Sequence, residues 1–215
     1  MKKYEILKKV EKEKMVAIVR VKDAKIAEPV VDSLVNGGIE CIEVTFTVPF
    51  IHSTFEHIAK KYQGTNVCLG AGSILDSETA RIAIICGAEF LVTPTFNEDV
   101  VKLANRYGIP TFAGIMTPTE ALKAKECGVD VVKLYPANQF KYSIVKDLRG
   151  PIPTLAVMPT GGVDLNNIKD WIKAGAFACG VGGSLTKGAK DGDFELITKT
   201  AKDFKKAIEE ACENE

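Results

Sequence analysis

The sequence predicts an α/β chain: a single (β/α)8 TIM barrel over residues 1–215 with an extra helix at its N-terminus. Three observations predict it. A helical pattern, a glycine and a short apolar run recur as one phrase seven times. Counted from Gly38, the glycines fall at 64, 87, 108, 128, 150 and 175, at intervals of 26, 23, 21, 20, 22 and 25 residues. The apolar runs are short and apolar on both faces, as parallel strands are, and the stretches between them carry a helical period with caps.

The elements follow in order. Tyr4, Ile6, Leu7 and Val10 give the leading segment one apolar stripe, so it reads as the extra helix. MVAIVR (15–20) is the first strand. Seven more follow the glycines: IECIEVTF, TNVCLGAG, AEFLVT, IPTFAG, VDVVKLYP, PIPTLAVMPT and AFACGVG. Each glycine is read as the left-handed residue that ends a helix and frees the chain into a strand. Between strands, DAKIAEPVVDSLVNGG buries Ala27, Val30, Val31, Leu34 and Val35. DSETARIAIICG opens on Asp76 or Ser77. NEDVVKLANRYG, TPTEALKAKECG and DLNNIKDWIKAG each begin with a capping Asn, Thr or Asp. Residues 192–215 read as the last helix with a frayed acidic end. An open doubly wound sheet is the alternative, but its first βα turn usually carries a glycine fingerprint, and here that turn is VRVKDA.

Composition narrows the function. Twenty-eight cationic and 28 anionic residues leave no net charge, so the footprint of a nucleic-acid binder is absent. A content of 46% hydrophobic and 26% charged residues excludes a disordered chain. No apolar run reaches a membrane span, and the charged start MKKYEILKKVEKEK shows no signal peptide, so a cytoplasmic protein is expected. The six cysteines form no C-x-x-C pair and have no histidine at ligand spacing, so they read as buried reduced thiols with no metal. Only four cations are arginine, which throws any anion site onto backbone amides or lysine.

Catalytic groups of such barrels sit at the C-terminal ends of strands. Charges inside strands therefore matter most. Lys133 lies in Val131-Val132-Lys133-Leu134-Tyr135-Pro136, on one face with Val131 and Tyr135. A lysine in a dry site can lose its proton and attack a carbonyl; the bland alternative is a lysine snorkelling to the rim or held in a structural pair. Glu43 shares a face with Cys41 and Thr45. A mid-strand carboxylate beside a lysine suits proton shuttling, and an ion pair with Lys133 would tune both groups. Arg20 closes the first strand, to bind an anion or to bridge the rim.

Two glycine clusters follow the seventh and eighth strands: Pro159-Thr160-Gly161-Gly162-Val163-Asp164 and Gly180-Val181-Gly182-Gly183-Ser184-Leu185. These loops hold phosphate in many barrels, although glycine also serves plain turns. Gly70-Ala71-Gly72-Ser73 offers a third anion cradle. Loop amides rather than side chains are expected to hold a phosphate. His52 and His57 are five apart, not the i, i+4 of a helical metal pair, and read as a solvated helix face. Trp171 reads as core.

These residues resemble the 2-keto-3-deoxy-6-phosphogluconate (KDPG) and 4-hydroxy-2-oxoglutarate (KHG) aldolase family over nearly the whole chain. The matching pieces are VAIVR (16–20), GGIECIEVTFTVP (37–49), GAGSI (70–74), VTP (92–94), GIMTPTEA (114–121), VVKLYPA (131–137), PTGGV (159–163) and GVGGSL (180–185). The resemblance implies a class I aldolase, a homotrimer without metal or cofactor, serving the Entner–Doudoroff route of carbohydrate metabolism. Its substrate is a 2-keto-3-deoxy sugar-acid phosphate, and pyruvate is one product. It makes Lys133 the Schiff-base lysine and Glu43 the general acid/base. Gly161, Gly162, Gly183 and Ser184 would line the phosphate site. Arg20, Ser73 and Thr160 would lie near the pyruvyl carboxylate or bound intermediate, Thr45 would also bind substrate, and Pro94 and Tyr135 would shape the pocket. The chain departs from many members at Ser73, where threonine is common, at Tyr135, where phenylalanine is, and at Thr47, where some have arginine. The loss at Thr47 shifts the carboxylate-binding role toward Arg20.

Three other readings stand beside this one. A 2-keto-3-deoxy-6-phosphogalactonate aldolase shares the pyruvyl half of the substrate. An isomerase, epimerase or thiamine-phosphate-type synthase would share the phosphate loops without needing a nucleophilic lysine. A non-catalytic barrel scaffold is opposed by the cost of burying Lys133 and Glu43.

Overall fold

The computed structural model describes residues 2–213. The predicted phrase builds eight parallel strands: β1 Met15–Val19, β2 Cys41–Thr45, β3 Cys68–Gly72, β4 Phe90–Val92, β5 Thr111–Ile115, β6 Val131–Leu134, β7 Val157–Pro159 and β8 Cys179–Val181. The helices are α1 Lys2–Glu13, α2 Ala27–Asn36, α3 Ile51–Lys61, α4 Ser77–Ile85, α5 Glu98–Tyr107, α6 Pro118–Glu126, α7 Ile144–Arg149, α8 Ile168–Lys173 and α9 Phe194–Cys212. The strands pair in the order β7-β6-β5-β4-β3-β2-β1-β8. A parallel bridge between Thr160 and Gly180 draws the last gap together, and the Phe177 N–H donates to the Val157 carbonyl at 2.8 Å. This is the (β/α)8 barrel, with α1 as the extra helix. The acidic end of the tail lies partly outside the described residues.

Six of the seven punctuating glycines hold positive φ, from +66° at Gly108 to +104° at Gly87. Gly150 is the exception at φ −52°, because α7 is short and runs into a proline-rich turn instead of a left-handed cap. Caps fall as expected at Asp76, Asn97 and Thr117, where Glu120 completes a capping box. In the segment after β7, Asp164 and Asn167 instead bond within their own loop, so α8 starts only at Ile168.

Two hydrophobic clusters divide the interior. The larger lies between strands and helices. The smaller fills the barrel, with Val16, Cys41, Cys68, Phe90, Phe112, Val131 and Met158. Ile6 and Val10 of α1 belong to this second cluster, so α1 packs against the N-terminal end of the barrel interior. Tyr4 is exposed, and only Ile6 and Val10 of the predicted stripe are fully buried. Phe90 and Phe112 stack at 5.2 Å between centroids. Phe112→Ala is expected to cost about 3–5 kcal/mol in a denaturant melt, since the filled interior cannot collapse around the void.

Four cysteines are buried (41, 68, 86 and 179); Cys127 is half-buried and Cys212 exposed. Trp171 is core and meets Tyr142 edge-on. His52 and His57 lie on the exposed face of α3, with His57 3.5 Å from Glu28.

Candidate active site

Bulky residues fill the lower barrel, but glycines line its upper layer. Glu43 sits in register between Ile18 and Gly70, and Lys133 between Gly114 and Met158. β2 and β6 stand four strands apart in a ring of eight, so the two charged residues belong to opposite walls. Missing Cβ atoms leave room for Glu43 at Gly72 and for the backbone of Pro94 at Gly114. A Cβ on Gly72 would overlap Oε1 of Glu43, and one on Gly114 would overlap the Pro94 carbonyl.

Glu43 is fully buried, and neither carboxylate oxygen has a hydrogen-bond partner among the described residues. Burial pushes its pKa up from the ordinary value; the charges of Lys133 and Arg20 pull it partly back. The contact ion pair considered from sequence is therefore not formed: Lys133 acts on Glu43 through the field, not through a bond. Lys133 is 5% exposed, and its Nζ stands 5.4 Å from the centre of the Tyr135 ring. The arrangement is a nearly dry amine opposite a carboxyl group whose pKa burial raises, a pairing suited to proton transfer.

Above them opens a cavity of about 520 Å³. It gathers Arg20, Lys133, Tyr135, Thr160, Gly161, Gly162, Gly183 and Ser184 from the predicted set. Glu43, Thr45, Ser73 and Pro94 do not line it. Glu43 and Thr45 are buried in the β2 wall, with Thr45 paired to the Thr47 hydroxyl at 3.1 Å. Ser73 is held with φ +58°, a backbone rarely adopted outside glycine, and its Oγ accepts from Arg20 Nη2 at 3.4 Å. Arg20 lies just past the end of β1 and is exposed. Pro94 is half-buried with its carbonyl against Gly114.

The two glycine loops are tied to each other and to their neighbours. Ser184 Oγ donates to the Val163 carbonyl at 2.8 Å, and Asn167 Nδ2 to the Gly162 carbonyl at 2.8 Å. Gly161 and Gly162 hold φ +91° and +83°, and the Asn138 N–H donates to the Gly161 carbonyl at 3.0 Å. The Tyr135 ring covers Gly161, and a Cβ at Gly162 would stand 2.6 Å from that of Asn138. Lys187, Lys190 and Asp164 also line the cavity. Asp164 is expected as a helix cap; Lys187 and Lys190 are not singled out by the sequence, where they stand in an ordinary polar stretch.

Gly72→Ala is expected to displace the Glu43 carboxyl group and cut turnover at least ~100-fold, with the fold retained by circular dichroism.

A parallel barrel whose C-terminal mouth holds a dry lysine and a buried carboxyl group defines a carbon–carbon lyase of the carbonyl-handling kind. The sequence pattern of the KDPG and KHG aldolases matches residues 6–200. The 2-dehydro-3-deoxy-phosphogluconate aldolase of Treponema pallidum is 35% identical over 200 residues, spanning 91% of this chain and 92% of that one. The 2-dehydro-3-deoxy-6-phosphogalactonate aldolase of Escherichia coli is 29% identical over 184 residues, spanning 85% and 88%. A solved structure described as native KDPGal superposes with a TM-score of 0.86 at 28% identity, covering 93% of this chain and 96% of the other. The chain belongs to the KDPG and KHG aldolase family.

Proposed function

We propose that the protein is a class I aldolase that cleaves 2-keto-3-deoxy-6-phosphogluconate to pyruvate and glyceraldehyde 3-phosphate. By the same chemistry it cleaves 4-hydroxy-2-oxoglutarate to pyruvate and glyoxylate. The observation that carries this reading is Lys133: an amine 5% exposed at the floor of the cavity, with the unpartnered carboxyl group of Glu43 in the opposite wall. A buried cation without a direct counter-ion costs stability, and nucleophilic use explains its presence.

The unprotonated Nζ of Lys133 adds to the C2 ketone, and the carbinolamine loses its hydroxyl as water with a proton from Glu43, leaving an iminium and the Glu43 carboxylate. That iminium accepts the electron pair of the C3–C4 bond as it breaks. Glu43 takes the C4 hydroxyl proton and the aldehyde leaves. Glu43 then returns a proton to C3 of the enamine, and water hydrolyses the iminium to pyruvate and the free lysine. Arg20, bonded to Ser73, serves the pyruvyl carboxylate in place of an arginine at Thr47, with Thr45 and Thr160 beside it. Pro94, through Gly114, and Tyr135 shape the wall on either side of Lys133. Gly161, Gly162, Gly183 and Ser184 hold the phosphate.

The phosphogalactonate epimer is the second reading, favoured by the relative from E. coli at 29% identity. The two substrates differ at C4, so retro-aldol rates on both, with 4-hydroxy-2-oxoglutarate as a third, rank them. The reading extends to one barrel domain over 1–215, a homotrimer in the cytoplasm, and a place in the Entner–Doudoroff route. Its direct test is borohydride added with pyruvate: a reduced adduct on Lys133, mapped by peptide mass spectrometry, supports it, and folded protein without that adduct overturns it.

A further inference from the structure

The outer end of the cavity carries charge that the glycine loops do not explain. After Ser184 the chain makes a four-residue 3-10 turn, Lys187–Lys190. A 3-10 turn has three residues per turn, so side chains at i and i+3 stand one above the other. Lys187 and Lys190 have that spacing, and both line the cavity.

The turn is fastened at each end. Before it, the Thr186 N–H and Oγ1 donate to the Gly182 carbonyl at 3.1 and 3.3 Å, tying the turn to the eighth loop. Behind it, the Asp193 N–H donates to the Gly188 carbonyl at 2.9 Å, and the Asp193 side chain caps α9. A Cβ at Gly188 would overlap the Asp193 carbonyl, so the turn lies tight against the start of that helix.

Both lysines are exposed, and neither has an ion-pair partner among the described residues. The acid in the cavity wall is Asp164, whose Oδ1 accepts the Asn166 N–H at 2.8 Å and is turned into its own loop. Arg20 and Lys133 stand beside β1 and β6, where the carbonyl chemistry is proposed to occur. Two further cations therefore line the cavity next to the eighth-strand loop, on one side of a braced turn. Glycine amides recognise an anion's oxygens but do not neutralise a dianion. Two ammonium groups do.

We infer that Lys187 and Lys190 form a charge clamp for the phosphate dianion of the substrate and set the preference for phosphorylated over unphosphorylated 2-keto-3-deoxy acids. This rests on the aldolase reading above. Phosphate bound there is shared between loop amides, which orient it, and lysines, which hold its charge. The clamp acts on binding, so its effect falls on KM rather than on kcat.

The test compares kcat/KM for 2-keto-3-deoxy-6-phosphogluconate with that for 2-keto-3-deoxygluconate. In Lys187→Gln/Lys190→Gln the phosphorylated-to-unphosphorylated ratio is expected to fall at least tenfold, carried by KM, and each single change to lower it about three- to tenfold. Lys187→Arg/Lys190→Arg is expected to keep most of the ratio, because it keeps the charge. A ratio within twofold of the unmodified protein's in the double glutamine variant would overturn the clamp. So would an equal loss on both substrates. Borohydride trapping with pyruvate is run alongside: an adduct in both proteins means a changed or unchanged ratio reports on the clamp alone. No adduct in the unmodified protein would overturn the aldolase reading, and the clamp with it.

Discussion

Lys133→Met is expected to lose retro-aldol turnover and the borohydride-trapped pyruvate adduct together, with kcat/KM down at least ~10⁴-fold. Methionine keeps most of the lysine stem, so the packing between Gly114 and Met158 survives while the amine goes. The variant should melt at the same temperature or higher, because a nearly buried cation without a bonded counter-ion is removed. Peptide mapping of the adduct and a thermal melt check both halves. An adduct that persists in Lys133→Met would move the Schiff base to another lysine and dismantle the assignment.

Glu43→Gln is expected to keep Schiff-base formation but lower kcat by about 10²–10⁴-fold, the usual worth of a positioned proton-transfer group. Its pH dependence is more telling. Burial raises the Glu43 pKa in the folded protein, so the protonated form is the one the fold prefers. The stability this contributes is complete below the ordinary carboxylate value of 4.5 and is lost as pH rises through the raised value. Glutamine does not titrate. The melting temperatures of the two proteins should therefore lie closest in acid and diverge in favour of Glu43→Gln as pH rises. A gap that closes with rising pH would mean that Glu43 is stabilised as a charge, contrary to its unpartnered oxygens. Lys133 and Arg20 oppose the shift, so the gap should widen at high salt, where the field of exposed Arg20 is screened.

The parts of the site that were legible in the sequence are those where local pattern and local chemistry collide. Lys133 and Glu43 stand out because each puts a charge inside a short strand that is otherwise apolar on both faces. Gly161, Gly162, Gly183 and Ser184 stand out because they cluster directly after strands. Lys187 and Lys190 do not stand out, since lysine in a polar stretch is the ordinary surface pattern; only the 3-10 turn, which a four-residue segment does not announce, brings both to one cavity. Gly72 was read as part of an anion cradle, and its closest relation proves to be with a side chain on the neighbouring strand. Asp164 looks like a helix cap by type and spacing, yet its Oδ1 accepts the Asn166 N–H within its own loop, while Asn167 Oδ1 accepts the Asp164 N–H.

The sequence by itself determined the eight-fold repeat, which residues share a face with Lys133 and with Glu43, and the identity of the two buried charged residues. All three follow from periods of two and 3.6 residues and from glycine punctuation, interactions that reach no further than a few residues along the chain. Tertiary structure alone decided which residues meet across the ring. It kept Glu43 out of contact with Lys133, left the carboxyl group without a hydrogen-bond partner among the described residues and set two exposed lysines in the cavity wall. Those relations depend on the closure between Thr160 and Gly180 and on the glycines of neighbouring strands. Both are contacts between segments distant in sequence, and no local pattern encodes them.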